Sequence, residues 1–152
     1  MDHSTTLSKH INASPEKVWA VISDIPGSAK TLSGVKAIQM LSEGPYGEGT
    51  RWKETRAMMG RDETVEMYVS QSDPPRGTTV TARQGGADYT TLFTLEERDG
   101  GTEVTLFFGA EILKPTLLSQ IMMAAFGKIG MSVTRKALAK DLAEIAAKAE
   151  AN

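Results

Sequence analysis

The sequence predicts an α+β fold: a seven-stranded curved antiparallel sheet, two short helices and one long C-terminal helix. Turn signals rich in Gly, Pro and Asp recur about every ten residues between 35 and 113, and Val, Thr, Tyr and Phe fill the runs between them. Such short connections join antiparallel strands, because a parallel pair needs a longer crossover. The 152 residues show no linker or repeat, so we expect a single domain over residues 1–152.

The N-terminal segment predicts one strand and two short helices. Residues 4–11 alternate loosely between polar and apolar side chains, which is typical of a strand. A helix then begins, because Ser14 can cap it and Pro15 can occupy its first position, where the missing N–H costs nothing. Apolar residues recur at helical spacing until Pro26-Gly27 ends this helix. A second short helix is predicted over 28–32.

Six further strands and the long helix complete the chain. Pro115 ends the last strand and opens a helix that runs to about residue 149. This helix is the one large element available to cover the apolar face of the sheet. A sheet wrapped around one helix does not pack solid along its whole length, so we expect a cavity between them. The six strands are predicted at 35–43, 49–58, 62–72, 78–84, 88–97 and 102–113.

Composition excludes several classes of function. The chain has no Cys, which rules out disulfides, thiolate metal sites and Cys nucleophiles. Its two histidines, His3 and His10, are an odd number of residues apart on one strand and point to opposite faces, so we expect no metal site and no cofactor. A net charge of −2 disfavours nucleic acid. We see no export signal or transmembrane segment and expect a cytoplasmic protein.

Several motifs together carry a resemblance to a known superfamily. Ser14-Pro15-Glu16-Lys17-Val18-Trp19 follows the first strand, Gly47-Glu48-Gly49-Thr50-Arg51-Trp52 enters the third, Asp73-Pro74-Pro75-Arg76 forms a turn, and Asp141-Leu142 lies in the closing helix. Their order resembles the START-like, Bet v 1-like (SRPBCC) superfamily over nearly the whole chain, most closely its polyketide cyclase/dehydrase-like branch. The resemblance implies a helix-grip fold with sheet order 1-7-6-5-4-3-2 and hydrophobic ligands. It also implies cyclase or other chemistry in some members, but carries over no catalytic residue.

The long helix carries two apolar stripes. We expect Leu138, Leu142 and Ile145 to be core, with Asp141 among the charged residues on the helix surface. A second stripe lies on roughly the opposite face of the N-terminal half. It either packs beneath the short helices or meets a second subunit, a membrane or a ligand. The candidates for such an interface are Leu118, Met122, Phe126 and Ile129.

The third strand carries the polar groups with the most chemical interest. Alternation favours an inward position for the face that carries Trp52, Glu54 and Arg56. A buried Glu–Arg pair could orient the polar end of a ligand, and a desolvated Glu54 could act as a general base. A structural salt bridge on the outer face is the alternative that we favour. On the next strand, the register leaves open whether Tyr68 or Met67 faces inward.

We therefore predict a protein that binds a small hydrophobic ligand, such as a lipid, a polyketide or an aromatic compound, for sequestration or transport. One alternative is a polyketide cyclase or dehydratase that uses a cavity Glu, Arg and Tyr. Another is an interaction protein that dimerises or docks through the apolar half of the long helix. No catalytic residue is assigned. The candidates for lining the cavity are Trp52, Glu54, Arg56, Met67, Tyr68, Tyr89, Phe93, Phe108, Leu117, Ile121, Ala124 and Met131.

Overall fold

The strands and short helices form where the sequence predicts them. The computed structural model describes residues 3–58, 60–84, 86–112 and 128–151. The predicted start of the long helix at Pro115 lies outside these residues. The elements are β1 (His3–Ile11), α1 (Pro15–Ser23), α2 (Ser28–Thr31), β2 (Val35–Met40), β3 (Arg51–Met58), β4 (Arg61–Asp73), β5 (Gly77–Gln84), β6 (Ala87–Arg98), β7 (Gly101–Ile112) and α3 (Lys128–Ala151).

The seven strands form one antiparallel sheet in the order β1-β7-β6-β5-β4-β3-β2. Hairpins join each strand from β2 onward to the next, and the one long-range pairing brings β1 beside β7, with Leu7 opposite Leu106. A bulge interrupts the pairing of β4 with β5 between Val69 and Gln71. Bulges bend a strand and increase its twist, which helps a sheet to wrap around a helix. The sheet order implied by the resemblance is confirmed.

Helix α1 begins as its sequence predicts. The Ser14 hydroxyl accepts a hydrogen bond from the backbone N–H of Lys17, and Pro15 occupies the first helical position. Val18 and Ile22, four residues apart, are buried on one face of the helix. After α1 ends, the Asp24 carboxylate accepts a hydrogen bond from the N–H of Gly27, which steers the chain into α2.

Two separate groups of buried residues lie on the sheet, and the principal one holds α1 and α3 against it. The smaller group, here called the second core, consists of Ile25, Trp52 and Val69. The principal core includes Leu142 and Ile145, as predicted, and Leu138 packs against it while remaining partly exposed. The members of the principal core are Ile11, Ala13, Val18, Ile22, Leu95, Val104, Leu106, Leu142, Ile145, Ala146 and Ala149.

Polar contacts fix the C-terminal half of α3 at two further points. The Glu150 carboxylate accepts a hydrogen bond of 2.9 Å from the N–H of Asn12, and Glu144 accepts one of 3.1 Å from the N–H of Ser33. Both donors are backbone groups in the connections that surround α1 and α2. The two hydrogen bonds therefore define the rotation of α3 about its axis as well as its position across the sheet.

Gly101 stands where β7 passes closest to the end of β1, and we expect Gly101→Ala to destabilise the protein. A methyl group there would collide with the backbone carbonyl oxygen of Ile11 and lie 3.0 Å from Nε2 of His10. Overpacking of this kind costs about 1–3 kcal/mol of unfolding free energy, which urea denaturation measures.

Gly47→Ala is the matched control, because an added methyl group at Gly47 would meet no atom within 4 Å. Its unfolding free energy should stay within about 0.5 kcal/mol of the wild-type value. Equal losses in the two variants would contradict the close approach of β1 and β7 at Gly101.

Candidate functional site

The inner face of the sheet is the face that α3 covers. Directly paired residues of antiparallel strands point to the same face. One lateral row across β3 to β7 therefore consists of Trp52, Met67, Ala82, Tyr89 and Ala110. Leu95 is an even number of residues from Tyr89 on β6, so the two side chains point to the same face. Leu95 is buried in the principal core with residues of α3, which shows that this row faces the helix.

A band of half-buried apolar side chains crosses the inner face between the two cores. Met67 on β4 packs against the second core, whereas Phe93 and Phe108 pack against the principal core. Tyr89 stands between them, and its ring stacks on that of Phe108 with centroids 6.1 Å apart and planes 23° apart. All four side chains remain only partly buried. The inner face thus carries apolar surface that the two cores do not use.

The prediction that Tyr68 lines the site is wrong. The register places Met67 beside Trp52 on the inner face, so alternation turns Tyr68 outward, where 45% of its surface is exposed. Tyr68 lies in a shallow outer depression of about 520 Å³. Arg51 pairs with Glu66 there at 2.6 Å, and a second ion pair joins Arg83 to Asp88. The open choice between the two faces of β4 is thereby settled.

A buried ionic network joins β3 to α3. Trp52 and Glu54 are 3% and 8% exposed on the inner face. The indole N–H of Trp52 donates to Oε1 of Glu54 at 3.3 Å, and Nε of Arg56 donates to Oε2 at 2.7 Å. The guanidinium then donates from Nη2 and Nη1 to the two carboxylate oxygens of Asp141, at 2.8 and 3.3 Å. The Glu–Arg pair is therefore an inner link between sheet and helix.

Asp141 is the member of this network that the sequence analysis missed. We expected it on the exposed surface of the helix, but it is 7% exposed. The helical spacing contains the signal, because Asp141 follows Leu138 by three residues and precedes Ile145 by four, which places all three on one face. A carboxylate on an apolar face needs a cationic partner, and Arg56 is that partner.

Burial and charge act in opposite directions on the network. Burial raises the pKa of Asp141, and the nearby carboxylates of Glu54 and Glu144 add to the rise, while Arg56 opposes it. For Arg56, burial alone would lower the pKa, but the charges of Asp141 and Glu54 outweigh it and hold the pKa above its usual value. Arg56 is therefore a permanent cation between two carboxylates.

Tyr46 is a second residue that the sequence analysis did not single out. Its hydroxyl lies 2.6 Å from Oγ1 of Thr78, and its ring packs nearly perpendicular to that of Trp19 with centroids 5.8 Å apart. Burial raises the pKa of Tyr46. The residue ties the connection between β2 and β3 to α1 and β5, beside the second core. The one feature of the sequence that could have indicated this role is that Tyr46 is an aromatic residue inside a glycine-rich turn.

The other candidates from the long helix are only partly covered by the structure. Met131 is half-buried in α3, and Ile129 falls within the same helix. Within the described ranges, no group of three His, Asp or Glu side chains is placed to hold a metal ion. His10 lies on β1 with Nδ1 3.7 Å from the Glu103 carboxylate. The candidates that lie outside the described residues are Leu117, Leu118, Ile121, Met122, Ala124 and Phe126.

The sheet order, the two short helices and the C-terminal helix across the inner face define the helix-grip fold of START-like and Bet v 1-like proteins. The chain belongs to the family described as polyketide cyclase / dehydrase and lipid transport, whose model matches residues 2–150. No curated protein matches the sequence.

Solved structures share the fold at low sequence identity. The aromatase/cyclase Zhui from Streptomyces sp. R1128 is 15% identical, with a TM-score of 0.83 over 97% of this chain and 93% of that chain. TTHA0849 from Thermus thermophilus is 18% identical, with a TM-score of 0.80 over 98% of both chains. A START superfamily protein from Mycobacterium smegmatis is 15% identical, with a TM-score of 0.68 over 92% and 94%. At these identities the likeness shows the fold alone.

Arg56→Met should destabilise the protein strongly, because it leaves Glu54 and Asp141 as two buried carboxylates without a cation. Breaking a buried ion pair costs about 3–5 kcal/mol, and we expect about 3 kcal/mol here because part of the Arg56 side chain remains exposed. Urea denaturation at neutral pH measures this loss. Arg83→Met, which breaks an exposed pair on the outer face, is the control and should cost less than about 1 kcal/mol.

Asp141 should give the stability of the protein a recognisable pH dependence. Because the pKa of Asp141 is raised on folding, the native state binds its proton more tightly than the unfolded state does. The contribution of Asp141 to stability should therefore fall as the pH rises from its unfolded pKa of about 3.9 through the raised native value. Unfolding free energies measured from acid to neutral pH give this contribution as the difference between wild type and Asp141→Asn. A difference that grows with pH would show that Arg56, not burial, dominates the pKa.

Proposed function

We propose that this protein binds a small hydrophobic ligand, such as a lipid, a polyketide or an aromatic compound, between its sheet and its long helix. The band formed by Met67, Tyr89, Phe93 and Phe108 carries the proposal. Ligand sites in proteins are concave and mostly apolar, with a few polar groups that orient the ligand. Sequestration or transport of the ligand is the role that such a surface supports.

The strength of binding would come mainly from apolar burial. A ligand that removes about 300 Å² of apolar surface from water gains about 7 kcal/mol at 25 cal/mol per Å². Part of that gain offsets the lost freedom of the ligand, so dissociation constants between about 10 μM and about 1 mM follow for a ligand of this size. The family description includes both cyclase or dehydrase enzymes and lipid transport, and a binding site of this kind serves either role.

The hydrogen bonds of Glu54 support a binding role over acid–base catalysis by this residue. One carboxylate oxygen accepts from Trp52 and the other from Arg56, while Arg56 is further bound to Asp141. A general base has to reach a substrate proton, whereas Glu54 is 8% exposed and each of its oxygens already faces a donor of the protein. We therefore assign Glu54 and Arg56 to fastening α3 onto the sheet, and not to the chemistry of a cyclase.

The third possibility, docking through the apolar half of the long helix, depends on residues beyond those described. Among the helices that the structure describes, none has the length and apolar character to cross a membrane. The half-buried band on the inner face consists of described residues alone, and for that reason we place binding first.

The inner face can be blocked at Thr91, which is a member of neither core. Thr91 lies on the inner face between Val80 and Phe108, so Thr91→Trp fills the space beside the band. We expect this variant to bind the neutral fluorescent probe N-phenyl-1-naphthylamine about tenfold more weakly than wild type, or worse. The measurement is a fluorescence titration at constant protein concentration.

Thr90→Trp is the matched control, because Thr90 lines the outer depression and carries the same ring to the opposite face. It should keep the probe affinity within about twofold of wild type, and both variants should keep the cooperative unfolding of wild type. Native mass spectrometry of protein purified from its own host should detect a bound small molecule that Thr91→Trp lacks. Wild-type protein that binds neither the probe nor any co-purifying molecule would refute the proposal.

A further inference from the structure

Tyr89 is surrounded by small side chains on the inner face. Its direct neighbours on the adjacent strands are Ala82 on β5 and Ala110 on β7. The flanking residues that share its face on β6 are Ala87 and Thr91. A tall aromatic ring among such short side chains projects beyond its neighbours on the sheet, so its edges are not covered by them.

The ring of Tyr89 is also held in one orientation. It stacks on Phe108, which lies diagonally across the pairing of β6 with β7, with 23° between the two planes. Nearly parallel aromatic rings in an offset arrangement stabilise one another beyond their burial alone. The contact with Phe108 restricts the rotation of the Tyr89 ring, and a side chain that is already ordered binds a flat ligand with little loss of side-chain entropy.

The hydroxyl of Tyr89 has an unused hydrogen-bonding capacity within the part of the chain that the structure describes. None of the described residues hydrogen-bonds to it, whereas the hydroxyl of Tyr46 is held 2.6 Å from Thr78. Burial raises the pKa of Tyr89, so its hydroxyl keeps its proton at neutral pH and remains a donor. Burying such a group in contact with a ligand is favourable only if the ligand supplies an acceptor.

We propose that Tyr89 determines the specificity of the site. Its ring and that of Phe108 stack against a flat ring of the ligand, and its hydroxyl donates a hydrogen bond to an acceptor on that ligand ring. This proposal rests on the proposed function, since it names the ligand class of the same site. The favoured ligand is an aromatic compound with a carbonyl or similar acceptor at its edge, in preference to a saturated chain of equal size. A site that offers a hydrogen-bond donor discriminates against an analogue that lacks the acceptor.

A pair of isosteric probes tests the hydrogen bond directly. 2-Acetylnaphthalene and 2-isopropenylnaphthalene have nearly the same shape, and only the first has an acceptor. Each is titrated against protein that carries N-phenyl-1-naphthylamine, and displacement gives its affinity. We expect wild type to prefer the acetyl compound by about tenfold and Tyr89→Phe to lose that preference, with its affinity for the isopropenyl compound unchanged.

Tyr68→Phe is the matched control, because it removes the same hydroxyl from the outer face, where Tyr68 is exposed. It should keep the full preference of wild type. Phe108→Leu tests the stacking, and should weaken both naphthalenes by several-fold relative to 1-decanol, which has no ring to stack. Unfolding midpoints of all variants establish that they are folded, and Tyr89→Phe removes no hydrogen bond to a described residue.

The outcomes separate this proposal from the one on which it rests. If wild type binds neither naphthalene nor the fluorescent probe, the proposed function fails and the role of Tyr89 fails with it. If wild type binds both naphthalenes equally and Tyr89→Phe binds them as wild type does, the binding function stands and the role of Tyr89 is refuted. A lost preference in Tyr89→Phe that Tyr68→Phe does not reproduce supports both proposals.

Discussion

One helix has to cover the apolar face of a seven-stranded sheet, and the rest of this structure follows from that requirement. The C-terminal half of α3 packs against α1 and β1 and shares the principal core with buried residues of β6 and β7. The far side of the inner face relies on Ile25, Trp52 and Val69 for a smaller core of its own. Between the two cores, apolar side chains stay half-buried because no described element is close enough to bury them fully. The surface available for a ligand is thus a result of the same geometry that holds the fold together.

The buried ion pairs define where α3 lies on the sheet, and they contribute less to how strongly the helix is attached to it. A buried ion pair is weak evidence for stability, because desolvation offsets much of the attraction between the charges. Removing one partner is nevertheless costly, so Arg56 and Asp141 penalise any arrangement of α3 that separates them. Glu144 and Glu150 add hydrogen bonds to the backbone at Ser33 and Asn12. Three carboxylates of one helix therefore each have a fixed partner, which defines how far α3 slides or rotates over the sheet.

Local signals explain why the sequence predicted the elements and part of the site. Ser14 and Pro15 start α1 by satisfying or removing orphan N–H groups, and alternation along β3 groups Trp52, Glu54 and Arg56 on one face of the strand. The prediction for Tyr68 was wrong because alternation within one strand does not say which face is inner. That choice depends on the pairing of β4 with β3. Asp141 was missed because its partner Arg56 lies 85 residues away in the sequence.

The sequence by itself determined the order of elements, the alternation of faces along each strand and the apolar stripe of α3, because these depend on residues close together in the chain. Only the tertiary structure decided that Tyr89 stands among small residues, that it stacks on Phe108, and that Arg56 joins the sheet to Asp141. Each of these arrangements depends on the register between strands or on the rotation of a helix over them. Both are set by long-range packing, which spacing along one chain does not specify.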